Sequence, residues 1–162
     1  MKTRIQVLEK IRNQALLKDW RIVTAESCTG GGVAHALTEL EGSSLYFECG
    51  LVTYSNAMKQ KLLRVQAETL ENFGAVSRQT VEEMALGALM QSEVNLSVAI
   101  SGIAGPGGGT KEKPVGTVWF AWAVERQYIE SVCHVFAGDR SAVREQAIDI
   151  ALEGLLKELA NG

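Results

Sequence analysis

Thr24-Ala25-Glu26-Ser27-Cys28-Thr29-Gly30-Gly31-Gly32 carries a carboxylate, a hydroxyl and a thiol straight into a run of glycines. Upstream, Arg21 to Ala25 is short, partly β-branched and followed at once by polar residues, which predicts a strand. Downstream, Val33, Ala34, Ala36, Leu37 and Leu40 fall at helical spacing, so a helix is predicted from Gly30 to Leu40. Ser27 therefore sits where a strand gives way to a helix. The first N–H groups of a helix lack intrahelical partners, and together with the helix dipole they favour negative charge. A phosphate, a carboxylate or a developing oxyanion would suit that position. A plainer alternative is that Ser27 or Thr29 caps the helix and the glycines make a tight turn.

A serine nucleophile needs a base. The two histidines, His35 and His134, fall in a predicted helix and a predicted strand, away from the strand-to-loop junction, so a histidine triad is not supported. Lys59 follows the end of the second predicted strand and would approach Ser27 if those strands are neighbours. To act near neutral pH its pKa must fall from about 10.4 to about 7–8, a change of about 3–4 kcal/mol toward the neutral amine. Burial beside Met58 and Leu62 and the positive helix end are the available causes; a surface lysine on an amphipathic turn is the bland alternative. Cys28 is the rival nucleophile, its thiolate favoured by the same helix start. Glu26 would orient a donor or hold a substrate amide, or pair with a nearby Lys or Arg. Arg140, beside Gly138 and Asp139 at a predicted helix start, offers a fork to phosphate or an i,i+4 partner to its own helix.

A second glycine-rich segment, Gly102-Ile103-Ala104-Gly105-Pro106-Gly107-Gly108-Gly109-Thr110, invites a nucleotide-binding reading. Gly109-Thr110-Lys111 breaks the Gly-Lys-Ser/Thr order of a P-loop, and the consecutive glycines after Ser27 do not have dinucleotide spacing.

These residues need a scaffold. With 162 residues, 46% hydrophobic and 22% charged, the chain has the composition of one globular domain, expected over 1–162. A net charge of -3 without basic blocks gives no footprint for nucleic acid or membrane. The absence of a long apolar run or signal-like start predicts a cytoplasmic protein. Cys28, Cys49 and Cys133 are widely spaced, which suits reduced thiols, and neither histidine has neighbouring ligands, so no metal is expected.

Ile5, Leu8, Ile11, Ala15 and Leu16 predict an N-terminal amphipathic helix ending near Lys18-Asp19-Trp20. Leu45 to Tyr54 reads as a second strand, with Asn56 capping a helix that carries Met58 to Leu63. Helical segments follow around Ala67 to Phe73 and Val81 to Met90, the latter capped by Ser77 or Thr80. Leu96 to Gly102 repeats the design of the first strand. Val115 to Val124 is apolar on both faces, as a doubly covered strand requires, and Tyr128 to Phe136 forms a hairpin with it before a last helix from Gly138-Asp139-Arg140. The order α-β-α-β-α-α-β-β-β-α predicts a three-layer α/β sandwich with a mixed sheet flanked by helices.

Five segments together resemble the CinA C-terminal domain family: Thr24 to Gly31, Gly50-Leu51-Val52-Thr53-Tyr54-Ser55-Asn56, Ser101-Gly102-Ile103-Ala104-Gly105-Pro106, Lys113 to Val118, and Gly138-Asp139-Arg140. The resemblance runs from the first strand to the last helix and is closest to the stand-alone nicotinamide-nucleotide amidases, which convert nicotinamide mononucleotide and water to nicotinate mononucleotide and ammonia in pyridine-nucleotide salvage. It implies Ser27 as nucleophile, Lys59 as base and Tyr54 beside them. It also implies a substrate site drawn from Glu26, Thr29, Gly30, Gly31, Ser44, Ser101, Gly102, Gly105 and Arg140. No cofactor is implied, and a homodimer is. Two other readings stay open: a nucleotide-sensing module that hydrolyses nothing, and an amidase of another small carboxamide.

Overall fold

The computed structural model describes residues 2–161. Its frame is a five-stranded sheet in the order β2-β1-β3-β4-β5, formed by β1 (Ile22–Glu26), β2 (Phe47–Val52), β3 (Leu96–Gly102), β4 (Thr117–Val124) and β5 (Tyr128–Val135). β2, β1 and β3 run parallel, while β3, β4 and β5 are antiparallel, which makes the sheet mixed. The register of β1 runs from Ile22 opposite Leu96 to Glu26 opposite Ile100. All three parallel strands therefore end at the same edge of the sheet, the usual place for a ligand in an α/β fold.

Side-chain alternation along the strands sorts the interior into two cores. Ile22, Val98, Ile100, Phe120 and Trp122 face α1 (Arg4–Lys18), α2 (Gly32–Leu37) and α6 (Arg140–Asn161). Val23, Ala25, Ala99, Ala121 and Ala123 face the opposite way, toward α3 (Asn56–Leu63) and α5 (Arg78–Ser92), with α4 (Ala67–Phe73) packed on α5. The second face is built from small side chains, so α5 lies close to the sheet. β4 is buried on both sides, as its continuous apolar run predicts.

Several boundaries differ from expectation for local reasons. Gly30 and Gly31 take φ of +60° and +95°, outside the helical region, so α2 begins only at Gly32 and ends at Leu37. The predicted strand from Leu45 to Tyr54 shortens to β2, because Ser43–Leu45 forms a 3₁₀ turn and Thr53 and Tyr54 leave the sheet. Three helices separate β2 from β3, one for each of the helical segments expected there, although the predicted order counted two. Ser55, not Asn56, caps α3, its hydroxyl accepting from the Met58 N–H, and Ser77 caps α5 in the same way. Among the described residues no helix is long and apolar enough to cross a membrane.

The tightest packing joins the two helices that carry and brace Lys59. Gly87 of α5 lies against the end of α3, where an added Cβ would stand 1.8 Å from the Leu63 carbonyl oxygen. Backbone on one side and sheet on the other leave no room for it. Gly87→Ala should therefore cost at least about 1–3 kcal/mol of stability by overpacking, measured by denaturant unfolding, and should displace α3. A stability within about 0.5 kcal/mol of wild type would show that the two helices can separate freely.

Candidate active site

Ser27 follows β1 directly, and its N–H continues the sheet pattern by donating to Ile100 O at 3.0 Å. Alternation then turns the Ser27, Thr53 and Ser101 side chains to the α5 face at the shared strand edge. Gly30 N–H donates back to Ser27 O at 3.0 Å and closes a tight turn over Ser27, Cys28 and Thr29. One helix face completes the arrangement: α3 starts at the Ser55 cap, and its first full turn brings Lys59 inward.

Lys59 is 1% exposed, and its Nζ stands 3.0 Å from Ser27 Oγ. The same nitrogen donates to the carbonyl oxygens of Thr53 (2.9 Å) and Tyr54 (3.1 Å). Among the described residues it has no carboxylate within ion-pair distance. Burial without a counter-charge penalises the ammonium and pushes the Lys59 pKa down, opposed only by nearby Cys28. In the neutral amine two N–H bonds meet the two carbonyls, which leaves the lone pair for the Ser27 hydroxyl.

A cavity of about 230 Å³ opens over this pair, lined by Ser27, Cys28, Tyr54, Asn56, Lys59, Ala75, Val76, Ser101, Gly102, Ala104 and Arg140. Arg140 crosses its mouth. Its guanidinium donates to Gly105 O (2.9 Å) and to the Tyr54 hydroxyl (3.1 Å), which ties the loop after β3 to the loop after β2. It also borders a second cavity of about 520 Å³ with Ala104, Pro106, Val115, Gly138, Asp139 and Ser141.

Ser27, Lys59, Tyr54, Ser101, Gly102 and Arg140 thus converge on one cavity, with Gly105 touching it through Arg140. The other expected residues lie elsewhere. Glu26 is fully buried on the opposite face of the sheet, where its carboxylate accepts from Thr24 Oγ1 (3.1 Å), Thr29 Oγ1 (2.7 Å), Val33 N–H (2.9 Å) and Ala34 N–H (3.0 Å). It supplies the cap that Gly31 cannot, so the anion attracted by this helix start is the chain's own. Thr29 is consumed in that cap. Gly30 and Gly31 face an outer cleft with His35 and Arg144 rather than the Ser27 cavity. Ser44 is exposed in the 3₁₀ turn that precedes β2, at the opposite end of the parallel strands from Ser27.

Two chemical expectations also change. The N–H groups of Gly30 and Gly32 are bonded to Ser27 O and Thr29 O, so the glycines are not free oxyanion donors. The N–H groups of Cys28, Thr29 and Gly31 donate to none of the described residues, but Gly31 lines the outer cleft, which leaves Cys28 and Thr29 as the donors next to Ser27. The thiol of Cys28 is buried, and desolvation raises its pKa to about 11 despite the adjacent turn, which suppresses the thiolate. His134 is used for packing, stacked on Phe136 at 5.4 Å, and among the described residues no His, Cys, Asp or Glu cluster is placed to hold a metal.

Ala75, Val76 and Ala104 escaped the sequence reading because they bring shape rather than chemistry. Arg144 also escaped it. Its Nε donates to Cys28 O at 3.1 Å and its Nη2 to Thr29 O at 3.4 Å. The available signal was its place one helical turn after Arg140, on the same face of one helix.

The profile of the CinA C-terminal domain matches residues 4–159. A protein named nicotinamide-nucleotide amidohydrolase PncC from Enterobacter agglomerans is 52% identical over 141 residues, 87% of this chain and 86% of its own length. Its namesake in Escherichia coli K12 is 48% identical over 154 residues, 95% of this chain and 93% of its own. The crystal structure of a CinA superfamily protein from Klebsiella pneumoniae 700603 superposes with a TM-score of 0.94 at 39% identity, covering 99% of this chain and 100% of the other.

Burial of Lys59 has a thermodynamic signature. A lysine whose pKa falls on folding binds fewer protons folded than unfolded, so stability rises with pH between the folded pKa and the ordinary value of 10.5. Below the folded pKa the cost of the buried charge is present in full. The stability of wild type relative to Lys59→Met should therefore increase from about pH 6 toward about pH 10 in chemical denaturation. A flat difference would mean that Lys59 is as easily protonated folded as unfolded.

Proposed function

Since the chain belongs to the CinA C-terminal domain family, we propose that it is a nicotinamide-nucleotide amidohydrolase, acting on nicotinamide mononucleotide through Ser27 and Lys59. The observation that carries the mechanism is the 3.0 Å approach of a buried, uncompensated lysine amine to a serine hydroxyl beneath a small cavity. The cavity of about 230 Å³ suits the nicotinamide ring alone, so the ribose and phosphate extend past Arg140 toward the larger adjoining cavity. Tyr54 and Arg140 stand at that passage, and the guanidinium is the group suited to a phosphate.

Neutral Lys59 takes the proton of Ser27 as Oγ attacks the carboxamide carbon. The carbonyl oxygen becomes an oxyanion, and the free N–H groups of Cys28 and Thr29 are the donors within the same turn. Lys59 passes the proton to the amide nitrogen, the C–N bond breaks and ammonia leaves. Water then attacks the Ser27 ester, Lys59 accepts its proton and passes it to Ser27 Oγ as the ester bond breaks, and nicotinate mononucleotide departs with Ser27 and neutral Lys59 restored. This product belongs to pyridine-nucleotide salvage, and a homodimer is the assembly proposed, supported by exposed Val52 on the edge strand β2 and exposed Leu45 and Tyr54 in the segments that flank it.

Wild-type protein should release ammonia from nicotinamide mononucleotide, with kcat/KM rising with pH as Lys59 loses its proton. Ser27→Ala and Lys59→Ala should each lower kcat by about 10³-fold or more, whereas Cys28→Ala should stay within a few-fold of wild type. Turnover retained in folded Ser27→Ala would refute the mechanism, and ligand binding without ammonia release from wild type would refute the activity.

A further inference from the structure

The turn that presents Ser27 ends before a helix can support it. Gly31 is left-handed, and α2 starts one residue later, so the Cys28 carbonyl receives no helical N–H. Its donor is Arg144, which reaches from α6 and binds Cys28 O through Nε and Thr29 O through Nη2. The approach is close. A Cβ on Gly30 would meet Arg144 Nη2 at 3.2 Å, and one on Gly32 would meet Ile148 Cδ1 at 2.5 Å. Among the described residues Arg144 forms no ion pair; neighbouring Glu145 is bound to Arg4 instead.

We infer that Arg144 is a positioning residue for the amidase reaction, holding and polarising the Cys28–Thr29 peptide so that its N–H meets the tetrahedral oxyanion. This inference rests on the proposed function of the Ser27 site. The carbonyl of Cys28 and the N–H of Thr29 belong to the same peptide unit. A guanidinium donating to that oxygen draws electron density from the nitrogen and makes the N–H a stronger donor. It does so from the side of the turn remote from the substrate, without touching the reacting atoms. Its charge, close to the Cys28 carbonyl, outweighs there the Glu26 carboxylate on the far side of the turn. It adds a potential whose stabilisation grows as the oxyanion forms, so its effect falls on kcat more than on KM.

Wild type, Arg144→Lys, Arg144→Gln and Arg144→Ala would be compared for ammonia release from nicotinamide mononucleotide and, separately, for labelling of Ser27 by a fluorophosphonate. In that labelling Ser27 Oγ bonds to phosphorus, fluoride leaves, the serine proton passes to Lys59, and the phosphoryl oxygen occupies the oxyanion position. Removing one oxyanion donor costs about 10²–10³-fold. Loss of the residue behind it should lower kcat about 10- to 100-fold in Arg144→Ala, with KM within about threefold, and Arg144→Lys should recover part of the loss. Labelling rates should follow the same order. If Arg144→Ala does not fold, the order Arg above Lys above Gln carries the test. Variants with lowered melting temperature but kcat within twofold of wild type would overturn the inference and leave Arg144 a structural clamp. If wild type labels but releases no ammonia from nicotinamide mononucleotide, the substrate assignment fails, and the labelling order alone still decides the role of Arg144.

Discussion

The central constraint is a lysine amine removed from water with no carboxylate to balance it. Keeping an ammonium in such a place costs several kcal/mol, and that cost is what lowers the Lys59 pKa. Two carbonyl oxygens, from Thr53 and Tyr54, fix the nitrogen as the β2 chain leaves the sheet. That geometry works only if β2 ends at that point and α3 begins at once, which the Ser55 cap enforces. The same burial lowers the Lys59 pKa and raises that of the Cys28 thiol, so in the proposed mechanism one environment favours oxygen over sulfur as the nucleophile.

The rest of the architecture keeps the serine and the lysine in register. Parallel pairing of β1 with β2 and β3 brings three strand ends to one edge, where Ser27, Thr53 and Ser101 share a face. Alanines on that face and Gly87 on α5 allow helix and sheet to close tightly around α3. On the other face Glu26 gathers four donors and secures the start of α2, while α6 closes the outside of the turn through Arg144 and Ile148. The Ser27 turn is thus fixed from three directions, with Gly30 and Gly32 against α6 and Gly31 against Val52 of β2.

Arg140 and Arg144 lie one turn apart on α6 yet perform different tasks. Arg140 is exposed at the cavity mouth, where it joins two loops and remains accessible to an anionic group. Arg144 is half-buried behind the turn and engages backbone only. Whether an arginine meets solvent or carbonyls decides which kind of electrostatics it can supply.

By itself the sequence determined the strands and their apolar faces, the Ser77 start of α5, the exclusion of P-loop and dinucleotide patterns, and the candidacy of Ser27 with Lys59. Each of these is written in windows of a few residues, where periodicity, β-branching and capping act locally. Tertiary structure decided what those residues meet: Lys59 beside Ser27 across 32 positions, Arg144 on Cys28 across 116, Glu26 turned away from the cavity, and Ser44 carried to the far end of the sheet. Burial and hydrogen-bond partners are properties of packed neighbours distant in the chain. No local pattern specified whether a carboxylate would hold a substrate or cap a helix, or whether a thiol beside a helix start would be charged or desolvated.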